Sequence, residues 1–368
     1  MSLLAERLRQ VRVLYGYTME NVADSIGVTK QSISKYETGK AIPTADVLTK
    51  IIDFYELPSG YLMKAEKQYE KQSLLFYRRD QHTLQRELED AKIRLTWYFE
   101  MLCICDKFIG NTIEEIPHFD DSMSIEDKAS ALRQVWGIEY GPIQNLPKVL
   151  MDHGINLFST TLQNAKIDGF SQIINDRPII VLNQKKGSLA RKNFSLAHEL
   201  GHLVLHSCCN KGELDYSEIE KEADAFAANL LMPAEVFRRD IININVETLI
   251  RLADKWCVSP QAVLERCRDL GFLESDKTVE QAHRQYLLRR LNTVKNYYIP
   301  EEEIVCSIAN ILEDIDSDDV KREIFIRDVC FPIPLMRQLL NMPNLFSKWK
   351  QVSDRANEID GVQLAFTF

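Results

Sequence analysis

The pentapeptide His198-Glu199-Leu200-Gly201-His202 restricts this chain more than any other stretch, because it demands a helix and gives that helix one chemically loaded face. Apolar residues flank it at helical spacing: Phe194, Leu196 and Ala197 before it, Leu203 and Leu205 after it. The pattern predicts a helix from about 188 to 206, with both imidazoles one turn apart on the same side. Two imidazoles so placed can share one Zn²⁺. Glu199 lies next to that face and reaches a water acidified by the metal, from which it can take a proton and pass it to a leaving amine.

A zinc site needs a third protein ligand. His206 continues the i+4 series, but it stands about 12 Å from His198 along a straight helix, so its expected role is structural or helix-terminal. Glu220 fits better: it falls on a second expected helix, about 217 to 231, which can run back against the first. Glu218 is a weaker rival. Asp224, one turn beyond Glu220, then faces the site and can accept the remaining N–H of a ligand histidine. Glu222 is expected to point away into solvent. This is the pattern of a zinc peptidase of the gluzincin type, with one Zn²⁺ per chain. The group that would stabilise the oxyanion stays open among Tyr216, His206 and Arg191.

Residues from about 128 to 270 resemble the ImmA/IrrE family of metallopeptidases. The resemblance is carried by Ala131-Leu-Arg-Gln-Val-Trp-Gly137 with Gly141-Pro142-Ile143, by Phe194-Ser-Leu-Ala-His-Glu-Leu-Gly-His202, and by Glu220-Lys-Glu-Ala-Asp-Ala-Phe-Ala-Ala-Asn-Leu-Leu-Met-Pro233. It implies His198, His202 and Glu220 as metal ligands, Glu199 as the catalytic residue, and helix-turn-helix repressors as the substrate class, in stress or mobile-element control.

Residues 1–63 read as four or five short helices. Gly16 ends the first, Thr18 caps a second that stops at Gly27, Thr29 caps a third, and Pro43-Thr44 opens another with Val47, Leu48, Ile51 and Ile52 on one face. Ala23 permits a close helix crossing, and Val28 and Ile33 pin the third helix to the core. Its outer face is left with Thr29, Lys30, Gln31, Ser32 and Lys35, side chains suited to base edges and phosphates. Tyr36 and Glu37 read as structural, Glu37 through backbone or Arg12. The stretch from 7 to 62 resembles the Cro/C1, or XRE, type of helix-turn-helix domain, which implies operator DNA as a partner and binding as a homodimer.

The chain carries 45 Lys+Arg against 54 Asp+Glu, net −9. That balance excludes a generally basic nucleic-acid-coating protein, so DNA contact has to be local. Lys30, Lys35 and Lys40 on or just after the third helix supply such a patch. No apolar run is long enough to span a membrane, and the start has no secretion signal. The eight cysteines show no C-x-x-C, which fits reduced, mostly buried thiols in the cytoplasm, with Cys208-Cys209 the best redox candidates.

The expected fold is multidomain and mainly α. It comprises a helix-turn-helix domain (1–63), a long helical connector (64–122) that is either solvated or a dimer face, an α+β peptidase domain with a small sheet (123–274), and a helical C-terminal region without assigned chemistry (275–368). The sheet is expected from the runs at 155–159, 169–174 and 178–183, with a turn at Asp176-Arg177. The expected function is a DNA-binding regulator with zinc endopeptidase activity; the alternative is a regulator whose metal domain senses a ligand or partner without cleaving.

Overall fold

A computed structural model of the chain describes residues 3–58, 60–63, 72–77, 85–110, 114–162, 167–184, 188–207, 215–273, 277–293, 306–344 and 347. It is mainly helical and multidomain, with one four-stranded sheet. The N-terminal helices are α1 (Leu3–Leu14), α2 (Met19–Ile26), α3 (Lys30–Glu37) and α4 (Ala45–Tyr55). Local signals set their ends. Thr18 and Asn21 form a reciprocal cap on α2: the Thr18 hydroxyl accepts from the Asn21 backbone N–H at 3.1 Å, and Asn21 Oδ1 accepts from the Thr18 N–H at 3.0 Å. Gly27 then turns the chain at φ 74°, a left-handed conformation that a side chain would strain. Thr29 caps α3 by accepting from the Ser32 N–H.

The chain next forms β1 (Phe76–Tyr77) and α5 (Gln85–Ile109). Two expectations for this region are corrected. Residues 72–77 were expected to be helical and are extended, because they pair with another strand of the sheet. Helix α5 is neither a solvated connector nor an open dimer face; it is the axle of a core. Leu95, Trp97, Tyr98, Met101, Leu102 and Cys105 are all buried on it. Its inward charged groups are matched across the fold. Glu100 accepts from Arg7 of α1 at 3.1 Å, both side chains being fully buried, and Arg94 donates to Asp90 and to Thr160, each at 2.8 Å. Such pairs stand only because each charge has its partner. The parts of the expected connector at 64–71 and 78–84 lie outside the described residues.

After α6 (Ile125–Val135) and α7 (Leu146–Asp152) come β2 (Asn156–Thr160), β3 (Gly169–Ile174) and β4 (Arg177–Asn183). The sheet order is β1-β3-β4-β2, with β3 antiparallel to both β1 and β4, and β2 parallel to β4. The β3–β4 turn is at Asn175 (φ 47°) and Asp176 (φ 63°), one residue earlier than expected. Alternation along the strands divides the sheet between two cores. Leu157, Ile180 and Leu182 face the helices α8 (Leu189–Leu205), α9 (Tyr216–Leu231), α10 (Ala234–Asp240), α11 (Val246–Trp256), α12 (Pro260–Asp269) and α13 (Lys277–Thr293). Phe158, Phe170, Ile179 and Val181 face α5.

The C-terminal helices α14 (Ala309–Ser317), α15 (Asp319–Val329) and α16 (Ile333–Leu340) close the α5 core from the far side. Tyr98 donates to the Leu339 carbonyl at 2.7 Å, and the Trp97 ring stacks on Phe331 at 3.8 Å. This region is structural support for α5 and the sheet. Trp349 and the ending 362–368 lie outside the described residues, as do Cys208 and Cys209. Cys103, Cys105, Cys257, Cys267 and Cys306 are outside any disulfide, and Cys105, Cys267 and Cys306 are buried. Burial pushes the thiols of Cys267 and Cys306 up to about 12, which disfavours the nucleophilic thiolate. Among the described residues no helix is long and apolar enough to cross a membrane.

Candidate metal centre and recognition helix

Helices α8 and α9 pack face to face, and Gly201 makes this possible. A Cβ there would meet Ala223 Cα and O at 3.3 Å and Phe226 at 3.2 Å, tighter than an ordinary contact, so a side chain would require α9 or Phe226 to give by a few tenths of an ångström. At this close crossing Glu220 reaches the two histidines. Its Oε2 is 3.4 Å from His198 Nε2, its Oε1 is 3.4 Å from His202 Nε2, and the two Nε2 atoms are 3.1 Å apart. Among the described residues these three form the group of metal-ligating side chains that converges on one point.

The outer nitrogens fix the ring orientations. His198 Nδ1 donates to Asp224 Oδ1 at 2.8 Å. His202 Nδ1 lies 3.3 Å from His206 Nδ1, and His206 Nε2 is 2.8 Å from Glu222 Oε2. A carboxylate only accepts, so His206 donates from Nε2, accepts at Nδ1, and leaves His202 its proton on Nδ1. Both nitrogens turned toward Glu220 are thereby Nε2. Asp224 stands where the sequence placed it. Glu222 points away from the converging atoms and is partly exposed, as expected, but it also terminates the chain of contacts that begins at His202. His206 is the residue that ends α8. It is on the far side of His202 from the converging Nε2 atoms, which removes it from the oxyanion candidates. Arg191 pairs with Asp168 at 2.9 Å, and Tyr216 is exposed at the start of α9.

The electrostatics favour a cation. Burial opposes a second proton on His198, but hydrogen bonds to Asp224 and Glu220 outweigh it and raise its pKa to about 9. Burial, reinforced by the charge on His198, lowers His202. Burial also works against the Glu220 carboxylate, yet its hydrogen bonds to both histidines hold it at about 2. Positive charge is therefore stabilised between the imidazoles and Glu220, and two nitrogens with one carboxylate oxygen make a donor set suited to zinc.

Glu199 is buried beside this group, and the Ser171 hydroxyl on β3 donates to its Oε2 at 2.7 Å. The sequence reading missed Ser171, although a serine on a strand face that is otherwise buried was a usable signal. It also missed Phe76, whose ring lies flat on the His202 imidazole at 5.0 Å and 4°. On the other side, a groove of about 1080 Å³ opens next to Asp224 and is lined by charged residues of both signs, including Arg191, Lys221, Glu265 and Arg268.

In the N-terminal unit, Thr29, Lys30, Gln31 and Lys35 are exposed on α3 and Ser32 is half-buried. Lys30 is 3.4 Å from Glu20, while Thr29 and Ser32 are engaged in the helix cap. Glu37 is structural. It accepts two hydrogen bonds from the Arg12 guanidinium, at 2.6 and 2.8 Å, which tie α3 to α1.

A family model described as helix-turn-helix matches residues 8–62, and one described as an IrrE N-terminal-like domain matches residues 150–268. The SPbeta prophage-derived uncharacterized HTH-type transcriptional regulator YonR of Bacillus subtilis is 37% identical over 62 residues, 17% of this chain and 57% of that protein. The cryptic phage CTXphi transcriptional repressor RstR of Vibrio cholerae is 32% identical over 88 residues, 24% of this chain and 79% of that repressor. The HTH-type transcriptional regulator ImmR of Bacillus subtilis is 30% identical over 60 residues, 16% of this chain and 47% of that regulator. This chain thus spans about half the length of two of these relatives and most of the third. With its capped α2–α3 pair, the chain belongs to the XRE-type helix-turn-helix transcriptional regulators, and the region that holds its His-Glu cluster is similar to the IrrE N-terminal-like domain.

Proposed function

We propose that this regulator is also a zinc-dependent endopeptidase of the gluzincin type that cuts a helix-turn-helix repressor, in trans or within its own N-terminal unit, in stress or mobile-element control. His198, His202 and Glu220 would hold one Zn²⁺, which when bound acidifies a water and polarises the scissile carbonyl. Glu199 takes the proton as the water oxygen bonds to the carbonyl carbon, then gives it to the amine nitrogen as the C–N bond breaks. Ser171 keeps the Glu199 carboxylate aimed, and Asp224 and His206 keep the two imidazoles in the metal-binding tautomer. One observation carries this reading: three ligand atoms from two helices meet on one point, and the neighbouring Glu199 carboxylate is buried on the same helix and held by Ser171.

In the proposed division of labour, residues 1–63 read DNA and 123–274 carry out hydrolysis, while α5 and α14 to α16 supply the core that supports the sheet. Helix α3 would enter the major groove with Gln31, Lys30 and Lys35 outward, Thr29 and Ser32 near the backbone, and two copies on a two-fold operator in the cytoplasm. The test is incubation of wild type and Glu199→Gln with helix-turn-helix repressors and Zn²⁺, followed by mass spectrometry of the products. Cleavage by wild type alone is expected; equal cleavage by both disposes of the hydrolytic half.

A further inference from the structure

The outer edge of β3 is covered by the chain's own residues 72–77. Phe76 pairs with Ser171 and Tyr77 with Phe170, both antiparallel. Upstream, Gln72 pairs with Ile174. The Ser73 N–H donates to the Ile173 carbonyl at 3.0 Å, and the Ile173 N–H donates to Ser73 Oγ at 2.9 Å. From 72 to 76 the segment takes four steps while β3 takes three from 174 to 171, so the segment bulges once. As the cross-strand partner of Ser171, Phe76 shares its sheet face, and it is that face which holds Glu199 and lies against the His202 ring.

Extended peptides are commonly held by adding a strand to a sheet edge, with main-chain bonds fixing register and alternate side chains setting specificity. An antiparallel strand on β3 places one side chain on the His202 imidazole and runs opposite Ser171, the residue that holds the Glu199 carboxylate. We infer that residues 72–77 occupy the β3 edge in place of a substrate peptide, with Phe76 in the position of an aromatic substrate side chain opposite Ser171, and that this resident strand holds the peptidase closed. This rests on the hydrolytic reading above.

The occupant is suited to leave. Two paired residues and a bulge make a marginal strand by themselves, and the aromatic stack on His202 supplies much of the hold. Because the segment is tethered on both sides, by the N-terminal unit and by α5, its effective concentration at the edge is on the order of millimolar. A free peptide therefore enters only when the tethered strand is released.

The experiment uses full-length, zinc-loaded protein on a Glu199→Gln background, with a fluorescein-labelled Gln-Ser-Leu-Leu-Phe-Tyr peptide as probe and anisotropy as readout. Ser73→Pro combined with Phe76→Ala removes an N–H donor and the stack; it is expected to bind the probe at least about tenfold more tightly than the unreleased parent. Gln72→Cys with Ile174→Cys, a cross-strand pair, is expected to bind no probe when oxidised and to regain parental binding when reduced. That reversal occurs in one protein sample, so misfolding cannot mimic it. Equal binding by parent, released and locked forms overturns the inference. With Glu199 restored, repressor cleavage should follow the same order. Probe binding in that order without hydrolysis by any Glu199-containing form leaves the peptide seat standing and removes the hydrolytic reading instead.

Discussion

The recognition helix and the metal helix are secured in opposite ways. Helix α3 is framed by neighbours in sequence: its own cap at Thr29, the Gly27 turn before it, and one longer tie from Glu37 to Arg12. Helix α8 takes its meaning from distant segments, with Glu220 and Glu222 from α9, Ser171 from β3 and Phe76 from β1. A helix framed by its sequence neighbours keeps its form largely independently of the rest of the chain, even though α1 is anchored to α5 through Arg7 and Glu100. A site assembled from four segments depends on every packing interface between them, and on Gly201 at the tightest.

The two regions should therefore fail separately. The largest effect is expected from Glu199→Gln: proteolysis falls by about 10²–10⁴-fold, while zinc content and operator binding stay at the wild-type level. A drop in zinc content alongside the lost activity would mean that Glu199 serves the ligand set and not the reaction. Next comes Glu37→Ala, which leaves the buried Arg12 guanidinium without its partner and should cost about 3–5 kcal/mol. Calorimetry should show the N-terminal unit melting earlier and operator affinity falling, with zinc still bound one per chain. Retained operator affinity at the wild-type melting temperature would show that the tie is dispensable.

Smaller effects sharpen the contrast within each region. Glu222→Gln keeps the shape of the side chain but weakens the contact that orients His206 and, through it, His202. Zinc affinity measured by chelator competition should fall by about 10–100-fold, and an unchanged affinity would reduce Glu222 to a surface residue. Lys30→Ala and Lys35→Ala should each weaken operator binding about equally across sequences and lower the salt slope by about 1. If either changed base preference instead, that lysine would be reading bases and not phosphates.

The reading of the sequence went furthest where spacing along one helix was enough. The four N-terminal helices, their caps at Thr18 and Thr29 and the stop at Gly27 all follow from short-range rules. So do the helical faces of His198 and His202, and the choice of Glu220 over Glu218 turned out to match the side chain that meets them. Helix α5 misled because its Lys, Glu, Gln and Arg content looked solvated; Arg94 and Glu100 are buried against partners 66 and 93 residues away. Residues 72–77 misled because a short extended segment has no periodicity to read until a strand edge is provided for it. The contact of Glu222 with His206 was not legible, because it joins two helices and the position at i+2 from Glu220 gives only a direction away from the histidine pair.

Sequence alone determined which residue types could do chemistry and which turn of which helix would carry them, since a helix converts spacing into direction through a fixed rise and pitch. Tertiary structure decided which of those side chains meet, what orients them, and that the chain's own strand lies across the result. Meetings between segments depend on close packing and on the pairing of buried charges, and neither is written in the spacing of any single segment.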